Sequence, residues 1–154
     1  MGNVEKKLQE LGINLPSVSK PPASFIPAVQ TGNLIYTAGQ GAKKDGVLAY
    51  KGKLGKDLTV EEGYEAAKLS ILNCLAIIKE HTGTLDRVKK VVKLLAFVQS
   101  APGFNEQPFV INGASDLLIK LFGEKGKHAR AAIGTNELPF NTPVEIEMIA
   151  EIEW

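Results

Sequence analysis

The sequence predicts an α+β fold, a single mixed β-sheet carrying two helices on one of its faces. Three observations lead there. In the C-terminal segment Val144, Ile146, Met148, Ala150, Ile152 and Trp154 alternate with Glu145, Glu147, Ile149, Glu151 and Glu153. That is the period of a long half-buried strand. Thr59-Val60-Glu61-Glu62 has the form of a capping box, in which the threonine hydroxyl takes an orphan helix N–H and the glutamate reaches back. Strand and helix signals then follow in the order β-β-(β)-α-β-α-β-β, two roughly equal halves that each give strands and then a helix.

Taking the elements in turn, residues 4–11 can form a short helix with Val4, Leu8 and Leu11 on one face and Gly12 as its stop. Pro16 and Pro21-Pro22 enforce an extended connection, so residues 1–22 read as a helix and a lead-in. Two strands follow, Phe25–Gln30 and Leu34–Ala38, joined through Thr31-Gly32-Asn33. Pro27 has no N–H to donate, which puts the first of them at an edge or on a bulge. Gly39, Gly41, Gly46, Gly52 and Gly55 mark loops around a short strand at Val47–Tyr50, and their spacing fits neither a P-loop nor a dinucleotide fingerprint. The capped helix runs to about Thr82 and stops at Gly83, with Tyr64, Ala67, Ile71, Leu75 and Ile78 as its apolar stripe. Val88–Val98 partly satisfies both periods, and its valines favour a strand. A second helix spans 107–122, with Ile111, Ala114, Leu118 and Leu121 inward. His128–Gly134 is a short strand, and Leu138-Pro139-Phe140-Asn141 a loop. With both helices on one face, the other face of the sheet lacks a cover, which predicts oligomerisation through it.

The bulk properties bound the function. The chain of 154 residues is 44% hydrophobic and 23% charged, which fits one globular domain over residues 1–154. Eighteen Lys and Arg stand against 17 Asp and Glu, a formal charge of +1, so no global field recommends nucleic acid as a partner. The lone cysteine, Cys74, permits no internal disulfide or thiolate cluster, and lies beside the helical stripe as a core thiol. His81 and His128 lack the spacing of a helical metal pair, so no metal is expected. No apolar run approaches the ~20 residues that span a bilayer, so no membrane is expected and the location read is cytoplasmic.

Arg130 is the unusual residue. It stands in a strand otherwise built of Ala129, Ala131, Ala132 and Ile133, where a desolvated cation needs a partner. One reading is a salt bridge to a glutamate of the terminal strand. The other is a bidentate clamp for a substrate carboxylate. Glu145, Glu147, Glu151 and Glu153 share one face of the last strand, and a carboxylate brought near Arg130 could order or deprotonate a water. Asn112 can cap locally or reach a ligand, and His128 reads as a surface histidine on the Arg130 side of its strand. There is no Gly-x-Ser-x-Gly and no paired His/Cys arrangement.

Several segments, in order, resemble the YjgF/Rid family of reactive-intermediate deaminases, which also carries the name "endoribonuclease L-PSP". They are Thr31-Gly32-Asn33-Leu34-Ile35-Tyr36-Thr37-Ala38-Gly39-Gln40, Ser70-Ile71-Leu72-Asn73-Cys74-Leu75, Gly83-Thr84-Leu85-Asp86-Arg87-Val88, Ala129-Arg130-Ala131-Ala132, Leu138-Pro139 and Val144-Glu145-Ile146-Glu147-Met148-Ile149-Ala150. They cover roughly residues 23–154 and resemble the longer members with an extra N-terminal helix. The resemblance implies a chorismate-mutase-like (bacillus chorismate mutase-like) α+β fold and a homotrimer, whose sheets form a central barrel with three clefts between subunits. It implies hydrolysis of enamines and imines, 2-imino acids above all, to a 2-keto acid and ammonia without a cofactor. On this pattern Arg130 holds the substrate carboxylate and Glu147 is the acidic residue at the water. Asn112 and Gly39 line the pocket, and Ala132 contributes a backbone N–H where many members have cysteine. Phe25 stands in place of a frequent tyrosine and Ala38 in place of a frequent serine, which makes the pocket more apolar. The resemblance leaves two alternatives to catalysis on imines: a non-catalytic small-carboxylate-binding or regulatory trimer, and an endoribonuclease.

Overall fold

The alternation at the C-terminus becomes β8 (Val144–Ile152), the central strand of the sheet. In the computed structural model, which describes residues 1–154, Val144, Ile146, Met148, Ala150 and Ile152 are buried, while Glu145, Glu147, Ile149 and Glu151 take the other face. The sheet runs β1 (Ala28–Thr31), β2 (Leu34–Thr37), β8, β6 (Val88–Gln99), β7 (Ala129–Thr135), and β3 (Gln40–Gly41) continues the pairing with β8 beyond β2. Only β6 and β7 are parallel, and the crossover between them is α3 (Gln107–Phe122). β4 (Lys43–Lys44) and β5 (Val47–Leu48) form a separate hairpin.

The long helix α2 (Val60–Thr82) begins as its capping box dictates: Thr59 Oγ1 accepts from the Glu62 N–H at 3.2 Å, and Glu62 Oε1 accepts from the Thr59 N–H at 3.1 Å. α2 and α3 cover the apolar face of β8, and Ile71, Leu75, Ile78, Ile111 and Leu118 join Leu94, Ile146 and Met148 in the core. The two helices approach closely at Gly113, where a Cβ would overlap the Tyr64 carbonyl oxygen. Cys74 is fully buried, and burial pushes its thiol up to about 12, which leaves it an inert packing group. No helix is long and apolar enough to cross a membrane. The fold is the mixed α+β arrangement with two helices on one face.

The structure corrects several element boundaries. Phe25, Ile26 and Pro27 precede β1 rather than belonging to it, because Pro27 cannot enter the ladder. The hairpin turn is Gly32-Asn33 alone, since Thr31 pairs with Leu34. The strand placed at Val47–Tyr50 stops at Leu48, that at His128–Gly134 starts at Ala129 and reaches Thr135, and β8 ends at Ile152. Leu11 falls outside the first helix, α1 (Asn3–Glu10), and is exposed. The mixed periodicity of Val88–Val98 also has a physical source: β6 slips register against β8 between Val88 and Lys90 and again between Val91 and Lys93. Each bulge inserts one extra residue and breaks the alternation.

α1 is tied down by a reciprocal cap. The Asp86 carboxylate accepts from the N–H groups of Asn3 at 2.7 Å and Val4 at 2.9 Å, at the start of α1. Glu5, buried, accepts in return from the Leu85 N–H at 2.7 Å, at the start of the 3-10 turn Leu85–Arg87. α1 therefore lies at the end of the helical layer and leaves the outer face of the sheet open. The Val4 N–H, opposed by partial desolvation and helped by the Asn3 N–H, holds the Asp86 carboxyl below its ordinary value. A depressed carboxylate adds stability above its unfolded pKa of about 3.9 and loses it as pH falls through the folded value. Asp86→Ala is expected to cost about 1 kcal/mol in denaturant unfolding at pH 7, with the gap from the parent protein closing below about pH 4. An unchanged unfolding midpoint at pH 7 contradicts this.

Candidate functional site

Arg130 lies on the edge strand β7, opposite Leu94 of β6 and on the helix-facing side of the sheet. Its Nη1 donates to Asn112 Oδ1 at 2.9 Å and Ser115 Oγ at 3.0 Å, and its Nη2 donates to the Pro108 carbonyl at 3.2 Å. Asn112 and Ser115 are three residues apart on α3 and so share one face of it. All three acceptors are neutral. Three ion pairs form in the molecule, Lys53–Glu137, Lys68–Glu65 and Lys127–Glu124, and none includes Arg130. The salt bridge to a terminal-strand glutamate is absent, because those glutamates point to the opposite face. Of the five guanidinium donors, Nε–H and one Nη2–H remain, on the side edge of a fork that matches a carboxylate.

Behind the guanidinium sits a short relay. His128 Nδ1 lies 2.6 Å from the Gly126 carbonyl, and its Nε2 lies 2.8 Å from Ser115 Oγ. A carbonyl only accepts, so Nδ1 carries the proton and Nε2 of the neutral ring takes the Ser115 hydroxyl proton. The Ser115 oxygen is then free to accept from Arg130. His128, expected at the surface, is instead half-buried.

A second group of residues surrounds a cavity of about 310 Å³ at the edge of the sheet beside β3. Gly39 and Glu145 meet there: a Cβ on Gly39 would lie 2.9 Å from Glu145 Oε2, so glycine makes room for the carboxylate. Glu145 is placed by the pairing of Gly41 with it across β3 and β8. Burial raises its pKa, and the neighbouring Glu147 raises it further, with no ion pair to offset either effect. Phe25 of the lead-in and Phe140 of the loop before β8 line the same cavity.

Residues 5–152 match the family model described as "YjgF/chorismate_mutase-like, putative endoribonuclease". The chain belongs to this family. Its similarity to "Protein TCP17" of Trypanosoma cruzi is 43% identity over 152 residues, covering 98% of this chain and 95% of that one. A "2-iminobutanoate/2-iminopropanoate deaminase" of Dermatophagoides farinae is 28% identical over 146 residues, covering 92% and 95%. Among solved structures, Atu1372 of Agrobacterium tumefaciens, described as a protein with unknown function, matches with a TM-score of 0.92 and 44% identity over 97% of this chain and 92% of that one.

The positions expected from the YjgF pattern separate into two groups in one chain. Arg130 and Asn112 are hydrogen-bonded, and Ala132 follows on the same side of β7, partly buried against the core. Phe25 and Gly39 belong to the cavity. Ala38 lies between β2 and β3, its N–H donating to the Pro27 carbonyl at 2.7 Å, and does not line the cavity. Glu147 lies in neither group: it is exposed on the outer face of β8, opposite Leu95. The carboxylate that enters the cavity is Glu145. Ser115 and Phe140 are the residues the sequence did not single out for the site, and Glu145 stood only among the four glutamates of the terminal strand. Of these only Ser115 had a usable signal, its helical spacing from Asn112.

Burial pulls the His128 pKa below its ordinary 6.5 and the Arg130 cation adds to this, while the bond to the Gly126 carbonyl opposes it. A neutral ring is therefore favoured in the folded state. Its contribution to stability is complete above about pH 6.5 and is lost as pH falls through the folded value. Nitrogen-15 NMR of the histidine rings is expected to show the Nδ1–H tautomer at pH 7.5 and titration only below 6.5. A ring with its proton on Nε2, or one half-protonated at neutral pH, contradicts the relay.

Proposed function

We propose that the protein hydrolyses reactive 2-imino acids and their enamine tautomers to 2-keto acids and ammonia, at a site completed between copies of the chain. The observation that carries this reading is Arg130, a guanidinium with neutral supports, no carboxylate partner and a free side edge. Such a group suits the carboxylate common to all 2-imino acids. Membership of the YjgF family and the deaminase relative support the same chemistry.

Glu145 is the carboxylate we assign to the water, in place of Glu147. Burial and the raised pKa make it a better base than a solvated carboxylate. Water held by Glu145 gives a proton to it as the oxygen bonds to the imine carbon. The π pair of the imine moves to nitrogen in that step, and the remaining carbon–nitrogen bond then breaks with its pair on nitrogen. The nitrogen takes the proton held by Glu145 and that of the hydroxyl and leaves as ammonia, while the oxygen becomes the keto group. The imine carbon is already electrophilic, so positioning and one base suffice.

Arg130 and Glu145 occupy opposite faces of the sheet two strands apart, a separation of about 10 Å or more between their backbones. One copy therefore supplies the clamp and the next the water-holding carboxylate. A homotrimer closed through the open face of the sheet meets this need. Val29, Tyr36 and Ile133 lie exposed on that face and give an association something to bury. A ribonuclease reading has less support, since His81 bonds to Gln30 and His128 to Ser115, and neither histidine lines the Glu145 cavity.

In a coupled assay with an amino-acid dehydratase or oxidase, the wild type is expected to accelerate iminopropanoate hydrolysis and Arg130→Ala to abolish the acceleration. Glu145→Gln should lower kcat by about 100-fold or more, and Glu147→Gln by less than about tenfold. No acceleration by the wild type across small and bulky imino acids sinks the enzymatic reading. Tight binding of a 2-keto acid without turnover would leave a carboxylate-binding trimer.

A further inference from the structure

We infer that the cavity beside Glu145 receives the side chain of an aromatic 2-imino acid, so that aromatic substrates are preferred over small ones. This rests on the reaction proposed above and names its substrate class. Glu145 and Gly39 line the cavity side by side, and Phe25, Phe140, Leu48 and Ile77 supply apolar surface. Its volume of about 310 Å³ is at the lower end of small-molecule sites. An imine derived from alanine carries only a methyl group and would leave most of that space to water. A phenyl or indolyl side chain occupies far more of it and meets aromatic faces.

Phe140 provides the second line of argument. The residue is 79% exposed, and its backbone is left-handed at φ 59°, as is that of Asn141 at φ 68°. Asparagine tolerates this region, whereas phenylalanine rarely adopts it. The conformation is imposed from below by Gln99, which is fully buried. Gln99 Oε1 accepts from the Leu138 N–H at 2.6 Å, and its Nε2 donates to Asn141 Oδ1 at 2.8 Å and to the Gly52 carbonyl at 2.9 Å. The Gly52 N–H donates in turn to the Asn141 carbonyl at 3.0 Å. A buried amide thus pins both sides of Phe140 and holds its ring at the cavity in a strained backbone, the pattern found at ligand clamps. Phe25, 55% exposed, presents a second ring to the same cavity.

Two other occupants are separated by experiment. Lys20 and Lys43 also line the cavity, Lys43 Nζ lying 5.8 Å from the Phe140 ring centre, and could attract an acidic side chain. A second copy of the chain could cover Phe140 instead.

The test uses the full-length protein and stable 2-keto acids as binding probes, with hydrolysis of the corresponding imines measured in parallel. By calorimetry, phenylpyruvate is expected to bind at least tenfold more tightly than pyruvate, and the phenylalanine-derived imine to show at least a tenfold higher kcat/KM than the alanine-derived one. Phe140→Gly relieves the left-handed strain and is expected to raise Tm while collapsing the aromatic preference at least tenfold. Phe140→Leu should retain part of the preference. Equal or tighter binding of pyruvate overturns the proposal, as does tighter binding of 2-ketoglutarate. It is equally overturned if Phe140→Gly preserves the preference, or if it dissociates the oligomer in sedimentation without changing the preference. Hydrolysis that favours the alanine-derived imine would leave the reaction standing and remove the aromatic pocket. Phe140-dependent binding of phenylpyruvate with no imine accelerated would keep the pocket and remove the reaction.

Discussion

The pleat of β8 is the constraint on which the arrangement of this molecule depends. Successive residues of a strand point to opposite faces, so its register decides what goes to the core and what goes outward. Here the register is held from the helix side. The Cys74 thiol donates to the Ile146 carbonyl at 3.4 Å, and the Met148 N–H donates to Thr37 Oγ1 at 3.0 Å, both in buried surroundings. Val144, Ile146, Met148, Ala150 and Ile152 are thereby committed to the core, and Glu145 and Glu147 to the outer face. The same rule applied through β6 puts Arg130 opposite Leu94, on the core side. The clamp and the carboxylates therefore belong to different faces in any single copy, and a site that uses both must be shared between copies. The open face, with Val29, Tyr36 and Ile133 exposed, offers the apolar area that would make such sharing favourable.

Much of the fold was legible because its signals are local. The capping box at Thr59, the stop at Gly83 and the alternation of β8 are each written within a few residues and appear where expected. β6 was harder, and its two bulges explain why: with Lys89 and Val92 inserted, neither a period of two nor one of 3.6 describes the strand. The site was legible in part. Arg130 stood out as a cation among alanines, but its real supports come from α3, and only the tertiary crossover brings Asn112, Ser115 and Pro108 to it. Glu145 and Glu147 are indistinguishable by parity, since both lie outward. What separates them is the pairing of β3 with β8, where Gly41 reaches Glu145 across roughly a hundred residues of chain. The left-handed backbone at Phe140 had no signal at its own position, because the residue that pins it, Gln99, lies at the end of β6.

In the proposed reaction the electrostatics of Arg130 and Glu145 suit one class of ligand. Arg130 is a cation without an anion, stabilised by oxygen atoms that carry no charge. Glu145 is a carboxylate without an ion pair, raised in pKa by burial and by Glu147. A guanidinium and a carboxylate in the same chain would ordinarily find each other, and the pleat prevents it. Each group then keeps a charge without an ion-pair partner, which a ligand of opposite sign would match. A protonated 2-imino acid carries both complements: a carboxylate for the guanidinium and, two atoms away, a cationic nitrogen for Glu145. The proposed hydrolysis removes the second of these. The 2-keto acid keeps its attraction to Arg130 but has lost the cation that Glu145 favoured, so the chemistry itself weakens one of the two contacts. Binding on two charges and leaving on one gives such a site a physical basis for turnover without a cofactor or a moving lid.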